Sequence, residues 1–315
     1  MTRVSVLGVI VLAGAIATAG GHLDAQDQGR RGGGAGRGGR GPATLGAIQK
    51  VGDNLFSIPG GGAGNTAVFL TANGVVLVDT KLATYGQAIL DQVRTVTDTP
   101  ITHIINTHTH PDHTGSNAFF EDSVQIVTHQ NTAAHMKTMK EFATDAGRRG
   151  LPDRTFAERE TLFSGAEAID LYYFGRAHTD GDIFVVFRSA RTMHAGDAFA
   201  DAITPFVDEA SGGSVLQFGA TLEKAAAGIR NVETVIPGHA AVTNWQAFLD
   251  YGEFNRLIVE HGRASMKAGK TAEQAMLEFK PPAKFSGYSL NAPFGRGGKG
   301  GNFTLLYEEL KGARP

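Results

Sequence analysis

Four side chains able to bind a metal ion fall within six residues: His108, His110, Asp112 and His113, in the run Asn106-Thr107-His108-Thr109-His110-Pro111-Asp112-His113-Thr114-Gly115. The run follows an apolar stretch, 101–106, whose pattern predicts a strand. Side chains two apart in an extended segment point the same way, so His108 and His110 can grip one ion together. Pro111 then turns the chain and can open a helix, which brings Asp112 and His113 round towards a second position. One loop can thus serve two metals. The competing reading, a solvated histidine-rich turn, is disfavoured because imidazole and carboxylate at this density mark metal sites. The chain has no cysteine, so thiolate ligands and a cysteine nucleophile are excluded and any metal must sit on His, Asp and Glu.

The surrounding elements must hold such a loop still. Short alternating or continuously apolar runs, broken by Gly, Asn and Asp, predict strands over 51–58, 66–71, 75–79, 124–128, 169–174, 183–187, 192–195 and 232–236. Asn73-Gly74 reads as a two-residue hairpin. Helices are expected over 84–96, where Ile89, Val93 and Val96 share a face, near 117–120, and over 214–229, 244–262 and 272–279. The stretch 132–160 reads as helical and polar, and 303–310 as a final amphipathic piece. Strands dominate early and alternate with helices later, the order of a layered α/β architecture with two sheets.

Composition narrows the class. Of 315 residues, 42% are hydrophobic and 19% charged, and no apolar run reaches the ~20 residues that span a bilayer. The net charge is −2, with 24 basic against 29 acidic residues from position 43 onward, which argues against a nucleic-acid partner. Arg3, the apolar stretch 4–19 and the small residues Ala17-Thr18-Ala19 mark residues 1–25 as a signal peptide, so the protein is expected to be exported, to a periplasm. Of the 42 glycines, eight lie among residues 29–41 together with four arginines. Residues 26–42 are therefore expected to be a disordered Gly/Arg-rich linker, and 43–315 the catalytic domain.

H-x-H-x-D-H followed by Thr-Gly resembles the signature of the metallo-β-lactamase superfamily. The resemblance extends in order through 76–79, a strand ending in Asp79, then Gly175-Arg176-Ala177-His178-Thr179, His194-Ala195-Gly196-Asp197 and Pro237-Gly238-His239, and covers about residues 45–262. It implies a four-layer αβ/βα sandwich of two mixed sheets flanked by helices, with the metals at one edge between the sheets. It further implies that His108, His110 and His178 bind one Zn2+ and Asp112, His113 and His239 a second, with Asp197 bridging; iron or manganese are the alternative metals. Asp112 is the implied catalytic residue, orienting a metal-bridging hydroxide and shuttling a proton to the leaving group.

The implied activity is hydrolysis of a small ester, thioester, lactone or amide. The β-lactamase alternative is weakened by two departures. Asp197 stands where the best-known β-lactamases have a cysteine, and Ala200 where they carry a substrate-binding lysine. From another class, the ligand set is similar to that of the mononuclear non-haem iron persulfide dioxygenases. The expected partner is a small-molecule substrate, with no nucleic acid and no stable membrane insertion of the mature form; the sequence leaves the oligomeric state open.

Asp79 is expected to hold a ligand from behind, against the plainer reading of a strand-end turn. His194 is expected to point into the core or accept a backbone hydrogen bond, and His22, His129, His135 and His261 to be ordinary histidines. Residues 59–65 are either a mobile flap over the metals or a plain flexible turn, and lack the Gly-Lys-Ser/Thr ending of a phosphate loop. Residues 295–301 either bring two cations to an anionic substrate or form a solvated loop.

Overall fold

The apolar runs of the first half build one seven-stranded sheet and those of the second half a six-stranded one in the computed structural model, which describes residues 44–290 and 298–312. The segments expected to be a signal peptide and linker, and residues 295–297 of the second glycine-rich stretch, lie outside the described residues, whereas Gly298–Gly300 form a 3-10 turn. In the first sheet β1 (Gln49–Gly52), β2 (Leu55–Ile58), β3 (Thr66–Thr71) and β4 (Gly74–Val78) form an antiparallel meander. Then β5 (Ile101–Ile105), β6 (Gln125–His129) and β7 (Arg154–Phe156) extend it in parallel. The second sheet has the order β13-β12-β11-β10-β9-β8, from β8 (Arg159–Leu162), β9 (Ile169–Tyr172), β10 (Phe184–Phe187), β11 (Thr192–Gly196), β12 (Thr234–Pro237) and β13 (Thr243–Asn244). Its β11–β12 pair is parallel and the others antiparallel, so both sheets are mixed.

Strand β4 shows why the layers stack. All five of its residues are buried, which requires cover on both faces. Val76 and Val78 pack between the sheets with Phe69, Val185 and Phe187, while Val75 and Leu77 pack with Ile89 and Val93 of α1 (Gly86–Arg94). The outer face of the second sheet lies under α5 (Val215–Gly228), α6 (Trp245–Lys267), α7 (Ala272–Glu278) and α8 (Asn302–Leu310), around Phe184, Phe218, Phe248, Tyr251 and Leu306. Three short helices, α2 (Pro111–Thr114), α3 (Gln130–Met136) and α4 (Asp145–Arg148), complete the first half. The molecule is the expected αβ/βα sandwich. Among the described residues no helix is long and apolar enough to cross a membrane.

Several boundaries differ from the sequence expectation. The strand expected over 51–58 is two strands, because Asp53-Asn54 makes a tight turn with Asn54 at φ 58°. The β3–β4 turn is centred on Ala72-Asn73, and Gly74 is the first residue of β4. The stretch 132–160 contains β7 and the first half of β8 as well as helices; both are short, and their exposed arginines hide the strand pattern. Helix α6 runs to Lys267, past Gly262. A Cβ there would lie 2.3 Å from Leu306 Cδ2, so this glycine permits close helix packing and does not end the helix.

Candidate metal centre

The sheet presets the first ligand loop. After β5, the Asn106 N–H donates to the Val127 carbonyl at 3.0 Å, and its own carbonyl accepts from Thr128 Oγ1 at 2.8 Å. The Asn106 side chain exchanges amide hydrogen bonds with Asn117. Beyond it His110 is extended, with ψ 146°, and Pro111 opens α2 at its first position, as the sequence predicts.

The structure brings all seven expected ligands together. His108, His110, His178 and Asp197 form one group and Asp112, His113 and His239 a second, with the ligand atoms in each group within 4.8 Å of one another. Asp197 faces both groups: Oδ1 lies 3.3 Å from His113 Nε2, and Oδ2 3.2 Å from His239 Nε2 and 3.6 Å from His178 Nε2. It is presented there by Gly196 at φ 50°, at the end of β11.

Four imidazoles have one nitrogen committed to a partner behind the site. His113 Nδ1 donates to Asp79 Oδ2 at 2.7 Å, His110 Nε2 to Asp208 Oδ2 at 2.9 Å, and His178 Nδ1 to the Phe206 carbonyl at 2.8 Å. The Thr107 hydroxyl donates to Asp79 at 2.7 Å, so its oxygen accepts from His108 Nδ1 at 3.0 Å. With each N–H committed, the other ring nitrogen turns a lone pair into the site. His178 Nε2 and His110 Nδ1 then confront each other at 2.9 Å as two acceptors, and the buried atoms His108 Nε2 and Asp197 Oδ1 have no hydrogen-bond partner among the described residues. Facing lone pairs and orphaned buried acceptors are stable only with positive charge among them, so these residues fit a bound cation.

Without a cation the imidazoles divide by their surroundings, and those nearest the carboxylates hold a proton that a metal ion would displace. Burial holds His178 down at about 4 and His108 well below the ordinary histidine value, so both stay neutral. Burial acts in the same sense on His113 and His239, but the surrounding carboxylates, Asp197 foremost, outweigh it and raise both. Burial would also raise Asp197, yet His113 and His239 keep it well below the usual carboxylate range. Asp182, buried behind the His178 turn and accepting from the Thr179 N–H and hydroxyl, is pushed up to about 7 by burial.

Asp79 holds His113 as expected, and His194 is buried, with Nε2 3.1 Å from the Asn65 carbonyl. His129 stacks on Tyr173, His135 pairs with Asp180 and His261 with the Ala275 carbonyl, all outside the two groups; His22 lies outside the described residues. Residues 59–65 lie against α2 and the His239 loop: the Gly64 N–H donates to the Asp112 carbonyl and the Asn65 N–H to the Gly238 carbonyl. Sequence reasoning missed Asp208, the Phe206 carbonyl, Asn65 and Lys81. Lys81 is fully buried, and burial lowers its pKa to about 8 against the opposing pull of Asp79 and Asp112. Its sequence signal is a lysine three positions past the end of an apolar strand.

A model of the metallo-β-lactamase superfamily matches residues 59–239. Metallo-β-lactamase IND-1 of Chryseobacterium indologenes is 23% identical over 178 residues, 56% of this chain and 71% of that protein. Among solved structures, a metallo-β-lactamase from Pontibacter korlensis is similar with a TM-score of 0.57 at 19% identity, over 68% of this chain and 99% of that one. The stereoselective inverting sec-alkylsulfatase Pisa1 from Pseudomonas sp. is similar with a TM-score of 0.67 at 13% identity, over 84% of this chain and 50% of that one. These likenesses establish a shared fold.

Proposed function

The chain belongs to the metallo-β-lactamase superfamily, and from that premise we propose that it is a binuclear zinc hydrolase acting on a small ester, thioester, lactone or amide. His108, His110 and His178 would hold one ion and Asp112, His113 and His239 the other, with Asp197 serving both. When bound, such a pair supplies a water acidic enough to be nucleophilic at neutral pH and a Lewis acid for the carbonyl under attack. The observation that carries this reading is the double cluster with orphaned acceptors at His108 Nε2 and Asp197 Oδ1.

The protein's own groups do the rest. Asp79, Asp208, Thr107 and the Phe206 carbonyl fix which nitrogen each imidazole presents. Asp112 Oδ2 sits 3.5 Å from His113 Nε2 and 3.4 Å from His239 Nε2 with its side chain about a quarter exposed (27%), so it meets both the centre and the incoming substrate. From there it takes a proton from the attacking water and returns it to the leaving group.

The named β-lactamase relatives support a second reading, hydrolysis of a β-lactam. Against it, Ala200 sits beside the last ligand, its carbonyl accepting from the His239 and Ala240 N–H groups, and its methyl offers no charge to a substrate carboxylate. Export rests on residues 1–25 and remains part of this proposal. The test is metal analysis joined to a panel of lactams, lactones, thioesters, phosphodiesters and sulfate esters. Two zinc ions per chain with turnover of a carbonyl substrate is the expected result; a single iron with oxygen consumption would overturn it.

A further inference from the structure

Residues 79–81 carry unusual backbone strain for a non-glycine segment. Asp79 and Lys81 both adopt positive φ, 62° and 59°, a conformation that is disfavoured for residues carrying a Cβ and persists only where the surroundings enforce it. The turn splits two side chains: Asp79 goes to His113, whereas Lys81 runs the other way, beneath residues 60–64. There its Nζ donates to the Gly64 carbonyl at 2.6 Å and the Gly60 carbonyl at 3.3 Å. The main chain of the same turn is tied to α2, the Thr80 N–H donating to the His113 carbonyl at 2.7 Å and the Lys81 carbonyl accepting from the Gly115 N–H at 2.8 Å.

The glycine loop that Lys81 holds touches both halves of the second ligand group. On one side the Gly64 N–H donates to the Asp112 carbonyl at 3.1 Å, and a Cβ on Gly64 would lie 2.2 Å from His113 Cε1, so the loop backbone rests directly on that ring. On the other, the Asn65 N–H reaches the Gly238 carbonyl at 2.6 Å, and its Nδ2 the Pro237 and Ala240 carbonyls, both at 2.8 Å. The Tyr85 hydroxyl donates to the Gly61 carbonyl at 2.6 Å. Asp112 and His113 come from the first half of the chain and His239 from the second, so residues 60–65 are a strut between them.

We propose that Lys81 is a positioning residue: its buried ammonium locks the 60–65 strut and so sets the spacing of Asp112 and His113 from His239, making the second ligand group depend on it while the first does not. This rests on the binuclear reading above. The imidazoles of the first group, His108, His110 and His178, are held instead by Thr107, Asp208 and the Phe206 carbonyl, none of which belongs to the loop.

Lys81→Met keeps the length and apolar stem but removes the charge and both hydrogen bonds. Zinc titration against a competing chelator should show one step within twofold of wild type and the other at least tenfold poorer. Amide exchange in metal-free protein should speed up at residues 61–65. Tyr85→Phe, which removes one hydroxyl from the same loop, should move both readouts in the same direction by less, and it decides the matter if Lys81→Met does not fold. Equal weakening of both steps, or unchanged exchange at 61–65, overturns the proposal. Wild-type protein binding one zinc would overturn the binuclear reading, whereas two zinc ions with both steps unaltered in the variants would overturn the strut alone.

Discussion

Asp79 Oδ2 lies 2.7 Å from His113 Nδ1, and neither side chain is exposed. The same carboxylate accepts from the Thr107 N–H at 2.8 Å and the Thr107 hydroxyl at 2.7 Å, so one buried anion orients a ligand of the second group and the residue preceding His108 of the first. Three donors converge on it. Asn in its place has one acceptor oxygen and must aim its NH2 at a donor, and Ala leaves all three unsatisfied. Asp79→Asn and Asp79→Ala should each weaken zinc binding about 10–100-fold, the usual effect of removing a group that orients a metal ligand. They should also lower stability by about 2–4 kcal/mol. Chelator competition and urea unfolding measure the two effects, and an unchanged affinity in both variants would show that the Asp79 contact is incidental.

What the sequence made legible follows from how local the signal is. The run from Asn106 to Gly115 announces itself because its residue types are rare together and its geometry is set by a strand and a proline. Asp208 carries no such mark. It lies 98 positions from His110, in an irregular stretch before a 3-10 turn, and only the folded chain brings the two within 2.9 Å. Asn65 and Lys81 stayed hidden for the same reason, their partners being backbone carbonyls that any sequence supplies. The missed strands β7 and β8 bury few side chains, so period-two alternation has little to act on, whereas β4, buried on both faces, is plain to read.

His110 and its partner separate ligation from orientation. His110→Ala removes a ligand atom and should abolish first-group binding and turnover together. Asp208→Ala leaves the imidazole in place but frees its Nε2, so affinity should fall about 10–100-fold. Because both side chains of the pair are partly exposed, at 19% and 18%, stability should change by only about 1 kcal/mol. Metal stoichiometry after dialysis distinguishes the variants; full occupancy in His110→Ala would refute its assignment as a ligand.

Asp112 is expected to act on the reaction more than on the fold. It projects from the four-residue helix α2, and its side chain belongs to none of the hydrophobic clusters. Asp112→Asn keeps the shape but loses the base and a charged ligand, so kcat should fall by about 10²–10⁴-fold, the range for removing a positioned proton carrier. The urea midpoint should barely move. If thermal stability collapsed while the residual folded enzyme kept its kcat, the residue would be structural.

A carboxylate outside the two ligand groups governs part of the acid stability. Asp170, in β9, receives Arg188 Nε at 2.6 Å and Nη2 at 2.7 Å, Thr161 Oγ1 at 2.7 Å and Arg159 Nη2 at 3.3 Å. Burial alone would raise its pKa, but these donors prevail and lower it from 3.8 to about 2. A carboxyl that is more acidic folded than unfolded stabilises the fold fully above its unfolded value. That contribution disappears as pH falls from about 4 to about 2, where the folded state too becomes protonated. Solvent around the half-exposed arginines limits the effect to about 1 kcal/mol at neutral pH. Asp170→Asn should therefore be less stable than wild type at pH 6, and the gap should close as pH drops through that window. Urea midpoints of both metal-loaded proteins, taken in steps from pH 6 to pH 2, measure it, because shared losses at the metal centre cancel in the difference. A gap that stays constant across the series would mean that Asp170 contributes by packing and hydrogen bonding without its charge.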